Sequence, residues 1–273
     1  MTLIADSGST KTHWNCAGKD FFTQGINPFF ISEDEIISLI LTELSGEIAL
    51  GSVTELFFYG AGCTPENCEV LSKTLSVSFP NAAVIQVKSD VLGAARALFQ
   101  HSAGIACILG TGSNSCFYNG DENVDSVPSL GYVLGDEGSG AALGKRLLGD
   151  CLKKLMTENI VEKFSEKYEI TTAEILENIY KKPFPNRYMA RFCEFLYENQ
   201  NEPEIDALIL NEFQAFFDRN IIKYDFKKYP VNFVGSVAAM FERQLRQVSD
   251  YNDFRIGKIL RQPMSGLVTF HSS

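Results

Sequence analysis

The sequence of 273 residues is 45% hydrophobic and 21% charged, which is typical of a globular protein with one large domain or two ordinary ones. Its formal net charge is -10 and it contains no run of lysine or arginine, so nucleic acid and anionic membranes are disfavoured as partners. A small-molecule partner is expected instead.

The cysteines and the apolar runs predict a cytoplasmic protein with no membrane partner. No CxxC pair occurs among the seven cysteines, and the closest two, Cys63 and Cys68, have no histidine or second cysteine pair to complete a zinc site. We therefore expect reduced, mostly buried thiols. No basic segment precedes the first apolar run, and no stretch approaches the roughly 18 apolar residues that span a bilayer.

The chain opens with a predicted three-stranded meander. Strands are expected at Thr2 to Ala5 and at Lys11 to Ala17, joined by a turn at Asp6 to Thr10, and a third strand is expected to end near Gly25. Helices and strands then alternate: a helix opened by Ser32 with Glu35 completing a capping box, a strand at Glu55 to Tyr59, a helix after Pro65, a strand at Ala83 to Val87, and a helix from Asp90 to Phe99.

The stretch SAGIACILGTGSNSCFYNGDENVDSV repeats the opening meander. An apolar strand leads into a turn of glycine and hydroxyl residues, a second strand follows, and Asn119-Gly120-Asp121 turns into a third. A repeated supersecondary unit indicates two related domains, each presenting a Gly/Ser/Thr hairpin. We expect the two hairpins to face each other across a cleft.

The second half is predicted to be mainly helical. The pattern is helical for roughly ninety residues after Gly138, with Ala141 to Leu155 the clearest segment. VNFVGSVAAMFERQL then predicts a strand, a turn and a helix, and FRIGKIL predicts a last strand. The predicted domains are 1–102 and 103–273, with a helical insertion at about 140–228 in the second.

The first turn, in LIADSGSTKT, has two interpretations that its residues leave open. Asp, Ser and Gly are preferred in tight hairpins whatever their function. Backbone N–H groups in such a turn also form a nest for phosphate, and Asp6 beside it would repel the phosphate unless magnesium lay between them. The Walker A pattern fails, because GSGAALGKR has five residues instead of four between its first glycine and Gly-Lys. The GxGxxG pattern, which starts at Gly110, fails because Ser115 stands in place of the third glycine.

Five stretches together resemble the actin-like ATPase superfamily of sugar kinases, actin and chaperones, and within it the BadF/BadG/BcrA/BcrD-type ATPase family, which includes N-acetylglucosamine kinase. The two phosphate motifs of the family are matched by DSGSTKT and ILGTGSNS, and the helix that carries the catalytic Asp is matched by SDVLGAARAL. The motif that follows is matched by LGDEGSGAALGKRLL, and the adenosine motif by FVGSVAAMF. The resemblance covers nearly the whole chain in the right order. It implies an α/β fold of two duplicated ribonuclease H-like domains, each a mixed sheet of a three-stranded antiparallel meander plus parallel strands with flanking helices, and a cleft between them.

The resemblance also implies roles for individual residues. Asp90 resembles the general base, and Asp6 the contact to Mg2+. The residues implied in ATP binding are Asp6, Gly8, Ser9, Thr10, Lys11, Thr111, Gly112, Ser113, Gly235 and Ser236. The residues implied in sugar binding are Asn27, Asn114, Asp136 and Glu137. Two departures from the family pattern are Gly235-Ser236 in place of a double glycine and the absence of a tryptophan shortly before GDEGS.

The function implied by the resemblance is ATP- and Mg2+-dependent phosphorylation of an amino sugar, such as N-acetylglucosamine or glucosamine, at its 6-hydroxyl. Family members are often dimers, so a homodimer is left open. One alternative within the family is an ATPase that activates a 2-hydroxyacyl-CoA dehydratase through a shared iron-sulfur cluster, which needs cysteine thiolates. Another is a non-catalytic sugar or nucleotide sensor.

Structural roles compete with each of these assignments. Ser89 and Asp90 both lie where a helix N-cap belongs, so spacing alone favours a capping role for Asp90. Asp136 and Glu137 could be the acidic first turn of a helix, and Asn27 before Pro28 is typical of a turn. Phe22, Phe29 and Phe30 are expected in the core or in strands, and the three histidines are assigned no chemistry.

Overall fold

The computed structural model describes residues 1–8 and 10–272, which form two compact units. Unit 1 comprises Met1–Ala103, Tyr118–Val124 and the chain from Gln262 onward. Unit 2 comprises Gly104–Phe117 and Asp125–Arg261. The predicted domains 1–102 and 103–273 assign the segment after Gln262 to the second domain, and they stay a prediction.

Unit 1 is built on a mixed five-stranded sheet with the strand order β3-β2-β1-β4-β5. Its strands are β1 (Thr2–Ser7), β2 (Lys11–Cys16), β3 (Lys19–Gln24), β4 (Glu55–Gly60) and β5 (Val84–Ser89). The first three form an antiparallel meander, whereas β4 and β5 run parallel to β1. The ladder places Ser7 beside Gly60 and Gly60 beside Ser89, so the carboxyl ends of the three parallel strands meet at one edge. Strand β1 continues through Asp6 and Ser7, which were expected in the turn.

Four helices cover the two faces of this sheet, because its side chains alternate between the faces. They are α1 (Glu33–Leu39), α2 (Pro65–Ser78), α3 (Asp90–Phe99) and α13 (Met264–Ser272). Leu3 and Ala5 face a core with α1 and α2, whereas Ile4 and Tyr59 face α3 and α13. The predicted capping box is present, since Glu35 N donates to Ser32 Oγ and the Glu35 carboxylate accepts from Ser32 N. The last helix, α13, was not predicted.

Unit 2 repeats the strand order of unit 1. Its strands are β6 (Gly104–Leu109), β7 (Ser113–Tyr118), β8 (Asn123–Val127), β9 (Val231–Val234) and β10 (Ile256–Leu260). The sheet order β8-β7-β6-β9-β10 again places three consecutive strands side by side and adds two strands on the other side of the first, with β9 parallel to both β6 and β10. The predicted duplicated α/β fold is therefore confirmed.

The helices of unit 2 bury one large apolar core. They are α4 (Gly131–Leu134), α5 (Gly140–Leu152), α6 (Glu158–Tyr168), α7 (Thr172–Tyr180), α8 (Pro185–Ala190), α9 (Cys193–Glu198), α10 (Pro203–Arg219), α11 (Ser236–Met240) and α12 (Glu242–Asn252). Strand residues such as Cys107 and Phe233 pack in this core against Leu143 of α5 and Phe216 of α10.

The cysteines, three of the phenylalanines and the lengths of the helices can be compared with what the sequence predicts. All seven cysteines are free, and six of them are buried. Phe22, Phe29 and Phe30 were expected in the core or in strands. Phe22 lies in β3, but the three side chains are 54%, 63% and 59% exposed. Across residues 1–8 and 10–272, no helix has both the length and the apolar character needed to cross a bilayer.

Candidate active site

The first turn connects β1 to β2 in unit 1. Gly8 N donates to the carbonyl oxygen of Lys11 at 3.0 Å, and Gly25 N donates to the carbonyl oxygen of Thr10 at 3.2 Å. Gly8, Thr10 and Lys11 are all exposed, as a phosphate-binding turn requires. Ser9, the remaining residue predicted in this turn, lies outside the described residues.

A buried hydroxyl network fixes the turn to the segment that carries Asn27. The hydroxyls of Ser7 and Thr12 are 2.7 Å apart, and Ser7 Oγ donates to the carbonyl oxygen of Ile26 at 2.9 Å. Ile26 N in turn donates to Ser7 Oγ at 2.9 Å. Because Ser7 and Thr12 are fully buried, these bonds are shielded from competing water and hold Asn27 beside the end of β1.

Asn27 is a turn residue, as one of the two interpretations predicted. Its Oδ1 accepts a hydrogen bond from Phe29 N at 3.0 Å, and the side chain is buried. Gly62, with a φ of +77°, packs so closely on this amide that any side chain at position 62 would overlap Asn27 Oδ1. The turn uses Oδ1 alone, so the structural role is compatible with a ligand contact through the amide nitrogen.

Asp90 is the first residue of α3, directly after the carboxyl end of β5. The N-cap is Ser89, whose Oγ accepts from Leu92 N, so the capping role considered for Asp90 belongs to its neighbour. Asp90 Oδ1 accepts from Val91 N at 2.8 Å. A carboxylate at this position lies where the helix dipole favours negative charge.

Asp6 and Asp90 form an electrostatically coupled pair of carboxyl groups. Burial and, to a smaller extent, the nearby charge of Asp90 together raise the pKa of Asp6 to about 7, against the lowering effect of Lys11. Burial also raises the pKa of Asp90 to about 6, opposed by the backbone N–H groups of Val91 and of Asp90 itself. A divalent cation bound to Asp6 would relieve this repulsion, so the pair fits an Mg2+ site.

Helix α3, which begins with Asp90, is packed tightly against β4, the strand next to β1. A Cβ atom at Gly93 would lie 2.8 Å from Cβ and Cγ of Tyr59, so only glycine allows this approach. Arg96 Nη1 donates to the Tyr59 hydroxyl at 2.9 Å, and that hydroxyl lies 2.9 Å from His271 Nε2 of α13. Burial lowers the pKa of His271 to about 4, so the imidazole is a neutral partner at physiological pH. Sequence reasoning assigned His271 no role.

The second turn, between β6 and β7 of unit 2, lies against the start of α5. Gly110 N donates to the carbonyl oxygen of Gly112 at 3.0 Å and closes the turn. Gly140 N and Ala141 N of α5 donate to the carbonyl oxygens of Gly110 and Thr111 at 2.8 and 3.1 Å. The carbonyl groups of Gly110 and Thr111 thus point at the helix.

Asp136 contacts the second turn directly. Its Oδ1 accepts from Ser113 N at 3.0 Å, and a Cβ at Gly112 would lie 3.1 Å from both carboxylate oxygens. Burial raises the pKa of Asp136, opposed by the N–H of Ser113. Asn114, which follows on β7, uses its Oδ1 to accept from Ser115 N at 2.9 Å.

Helix α10 holds the loop that contains Asp136 and Glu137. Arg219 Nε lies 3.2 Å from Glu137 Oε1, and Glu212, a half-buried carboxylate whose pKa burial raises, accepts from the backbone of Gly138. The alternative that Asp136 and Glu137 form the first turn of a helix is wrong, because α5 begins at Gly140. No local pattern in the sequence predicts the role of Glu212, since the contact spans more than seventy residues.

The turn at Gly235, predicted to contact adenosine, packs against Leu109 and Gly110 within unit 2. Gly235 has a φ of +133°, and any side chain there would overlap the carbonyl oxygen of Leu109 at the end of β6. Ser236 is the exposed first residue of α11.

The predicted site residues are divided between the two units. Unit 1 contains the predicted residues Asp6, Gly8, Thr10, Lys11, Asn27 and Asp90. Unit 2 collects Thr111, Gly112, Ser113, Asn114, Asp136, Glu137, Gly235 and Ser236.

Comparison with solved structures identifies the class of protein. A Porphyromonas gingivalis protein named as a candidate N-acetylglucosamine kinase is 43% identical, with 99% of this chain and 98% of that chain covered and a TM-score of 0.97. A candidate N-acetylglucosamine kinase from Chromobacterium violaceum is 16% identical over 98% of both chains, with a TM-score of 0.67. A ROK-family glucokinase from Streptomyces griseus, in complex with glucose and AMPPNP, is 14% identical over 99% and 98%, with a TM-score of 0.54.

The last two similarities show a shared fold. No family model matches the chain, and no curated protein does. The fold and the neighbours define the class as ATP-dependent sugar kinases. The identity of 43% over nearly the whole of both chains shows the family, so the chain belongs to the sugar kinase family that includes the Porphyromonas gingivalis protein.

The coupled carboxyl pair predicts a pH-dependent gain in stability for Asp90→Asn. The fold raises the pKa of Asp90 to about 6, so the folded state holds this proton more tightly than the unfolded chain does. This favourable contribution is fully present below the ordinary pKa of aspartate and is lost as the pH rises through 6, where the carboxyl group must ionise in the fold. In Mg2+-free buffer at about pH 8, the variant should therefore melt a few degrees above the wild type. This gain should vanish near pH 4, where the wild-type carboxyl group is protonated.

Thermal melts of both proteins across this pH range measure the difference directly. Asp125→Asn removes an equally charged but exposed carboxylate and serves as the matched control, with no pH-dependent gain expected. A pH-independent difference between Asp90→Asn and the wild type would contradict the raised pKa.

Proposed function

We propose that the protein transfers the γ-phosphoryl group of ATP to the 6-hydroxyl of an amino sugar, such as N-acetylglucosamine or glucosamine. The observation that carries the proposal is the coupled pair of Asp6 and Asp90 at the carboxyl edge of β1 and β5. Phosphoryl transfer requires an anchored cation and a base for the acceptor hydroxyl, and this pair supplies one carboxylate for each. The Porphyromonas gingivalis relative supports N-acetylglucosamine as the first acceptor to test.

Asp90 is the general base of the proposed reaction. It accepts the proton of the acceptor hydroxyl as that oxygen attacks the γ-phosphorus, and a raised pKa near 6 makes it a better proton acceptor than an ordinary aspartate while it stays ionised at neutral pH. The backbone N–H groups of Val91 and of Asp90 itself donate to this carboxylate and orient it. The contact between Gly93 and Tyr59 limits movement of the helix that carries it.

Asp6 is the proposed Mg2+ contact, and both turns are proposed to bind ATP phosphates. Mg2+ supplies charge neutralisation at the phosphates when it is bound. In the first turn the backbone of Gly8, Ser9 and Thr10 and the ammonium group of Lys11 would contact phosphate. In the second turn this role falls to Thr111, Gly112 and Ser113, with Gly235 and Ser236 at the adenosine.

The proposed sugar contacts are polar side chains that the fold holds in fixed positions. Asn27 is fixed by its turn, and Glu137 by Arg219. Asn114 and Asp136 flank Ser113 in sequence or in space. Carboxylates and amides of this kind accept and donate hydrogen bonds to the hydroxyls of a sugar.

The proposal also includes a more specific family and a cellular location for the protein. The motifs support the BadF/BadG/BcrA/BcrD-type ATPase family, and a homodimer remains a prediction of that resemblance. The cytoplasm is the proposed location, because ATP is available there and the seven cysteines carry no disulfide.

The dehydratase-activator alternative is disfavoured by the state of the cysteines. Burial raises the pKa of Cys193 to about 12, and it raises that of Cys107 as well, so thiolates for an iron-sulfur cluster are unfavourable there. The sensor alternative is disfavoured by the presence of both Asp6 and Asp90.

A coupled assay of ADP release over a panel of amino sugars tests the proposal. The panel contains N-acetylglucosamine, glucosamine, glucose and the 6-deoxy analogue of the best acceptor, and phosphorus NMR identifies the product. Rapid turnover with one amino sugar, a 6-phosphate product and no turnover with the 6-deoxy analogue are expected. ATP hydrolysis that no sugar accelerates would contradict the proposal.

Asp90→Asn should abolish most of the activity while retaining the fold. The amide cannot accept the hydroxyl proton, so kcat should fall about 10²- to 10⁴-fold. ATP affinity should change little, because the proposed contact is with the acceptor. Ser89→Ala is the matched control, since it removes the N-cap, costs about 1 kcal/mol of stability and leaves the base in place. A folded Asp90→Asn protein with more than about a tenth of wild-type kcat would show that Asp90 is not the base.

Asp6→Ala should weaken the dependence on Mg2+. The turn backbone would remain, but the cation would lose its carboxylate, so the Mg2+ concentration for half-maximal rate should rise about tenfold or more while turnover falls. Initial rates over a Mg2+ titration at fixed ATP measure this shift. An unchanged Mg2+ requirement would remove Asp6 from the metal site.

A further inference from the structure

The ammonium group of Lys11, a proposed phosphate contact, lies over the aromatic ring of Phe22. The two residues are diagonal neighbours on β2 and β3, because Lys11 pairs with Gln24 and His13 pairs with Phe22. Diagonal neighbours of this kind are about 7–8 Å apart, within reach of long and aromatic side chains. Lys11 Nζ is 4.8 Å from the centroid of the ring, inside the roughly 6 Å over which a ring face attracts a cation.

Neighbouring side chains hold the ring of Phe22 in place. The ring stacks on the imidazole of His13, with 4.5 Å between centroids and an angle of 29° between planes. His13 is buried, and its Nε2 lies 3.0 Å from Asp20 Oδ1. Asn15 Nδ2 donates to the same oxygen at 2.7 Å. These contacts fix the imidazole, and the ring that stacks on it offers Lys11 a fixed surface.

The ammonium group lies in a position that suits a phosphate contact. The carbonyl oxygen of Lys11 accepts from Gly8 N at 3.0 Å, so the residue that carries the ammonium group also closes the first turn. The charge of Lys11 lowers the pKa of Asp6, which shows that the ammonium group is near the proposed Mg2+ contact. Lys11 and Phe22 are both exposed, so an anion can reach the ammonium group while the ring stays in contact with it.

An aromatic ring has two effects on a lysine that binds phosphate. The long stem of lysine loses rotamer freedom when a ligand immobilises its ammonium group, and this loss opposes binding. A ring that holds the cation beforehand reduces the loss, because part of the ordering takes place before the ligand arrives. The ring attracts the cation through its face and accepts no conventional hydrogen bond, so the N–H donors stay available to phosphate oxygen atoms.

We propose that Phe22 is a positioning residue for ATP binding, whose ring holds the ammonium group of Lys11 in place for the ATP phosphates. This inference rests on the proposed function, because it requires ATP phosphates at the first turn. It assigns a role in ATP binding to a side chain outside the DSGSTKT motif, for which the sequence analysis predicts only a place in the core or in a strand.

Calorimetric titration with Mg2+ and ATP in the absence of sugar measures the effect. Phe22→Leu keeps an apolar side chain but removes the ring face, so its dissociation constant for ATP should rise about two- to fivefold, as expected for an exposed cation–π contact. Phe22→Tyr keeps the ring and should bind ATP like the wild type. Phe226→Leu is the matched control in unit 2, because it removes a ring 5.2 Å from Lys227, to which the proposed function assigns no ligand. Its ATP affinity should be unchanged.

A double-mutant cycle with Lys11→Met separates positioning of the ammonium group from a structural role of the ring. Lys11→Met removes the charge and should itself weaken ATP binding. Adding Phe22→Leu to Lys11→Met should weaken it no further, because no ammonium group is left to position. The KM for the sugar should be the same in Phe22→Leu as in the wild type, since the proposed contact is with ATP.

Several results would overturn the inference. Equal weakening by Phe22→Leu in the wild-type and Lys11→Met backgrounds would show that the ring acts through the fold. Tighter ATP binding by Phe22→Leu would show that the ring competes with phosphate for the ammonium group. An unchanged ATP dissociation constant in Phe22→Leu or in Lys11→Met would likewise contradict the positioning role. Failure of the wild type to bind ATP or to phosphorylate any amino sugar is a different result, because it refutes the proposed function itself.

Discussion

Two half-buried carboxyl groups, Asp6 and Asp90, lie at the same edge of one sheet, and the proposed chemistry depends on them. The backbone places each of them: Asp6 is the second-last residue of β1, and Asp90 lies where β5 passes into α3. Burial raises the pKa of both groups, and the charge of Asp90 adds to the rise at Asp6. A protein that retains such a pair gives up stability at neutral pH, and cation binding with proton transfer is a function that would use it.

The surrounding structure serves to hold this pair in position. The hydroxyl network of Ser7 and Thr12 fixes the end of β1 to the segment that precedes Asn27. The close contact of Gly93 with Tyr59, and the bonds of Tyr59 to Arg96 and His271, fix α3 from the opposite side. Helix α13 therefore belongs functionally with the first unit, although it is the last element of the chain.

Local signals in the sequence were sufficient for the repeated part of the fold. Gly/Ser/Thr turns between apolar strands recur in both halves, and this repetition predicted a three-stranded meander in each of two related domains. The capping box at Ser32 and Glu35 was likewise legible, because both partners lie within one helical turn. Features that depend on distant contacts were not predicted: the return of α13 to the first sheet, the bond of Asp136 to Ser113, and the support of Gly138 by Glu212. Exposure of Phe29 also escaped prediction, since an aromatic side chain beside a strand is more often buried.

The pH dependence of kcat/KM for the sugar, measured at saturating Mg2+ and ATP, tests the central claim most directly. In the proposed mechanism the bound cation keeps Asp6 ionised under these conditions, and the acid limb reports the base that accepts the hydroxyl proton. The account predicts an acid limb with an apparent pKa near 6, the raised value of Asp90. An acid limb near 4, the ordinary range of an exposed aspartate, would contradict it, as would a rate that does not fall in acid.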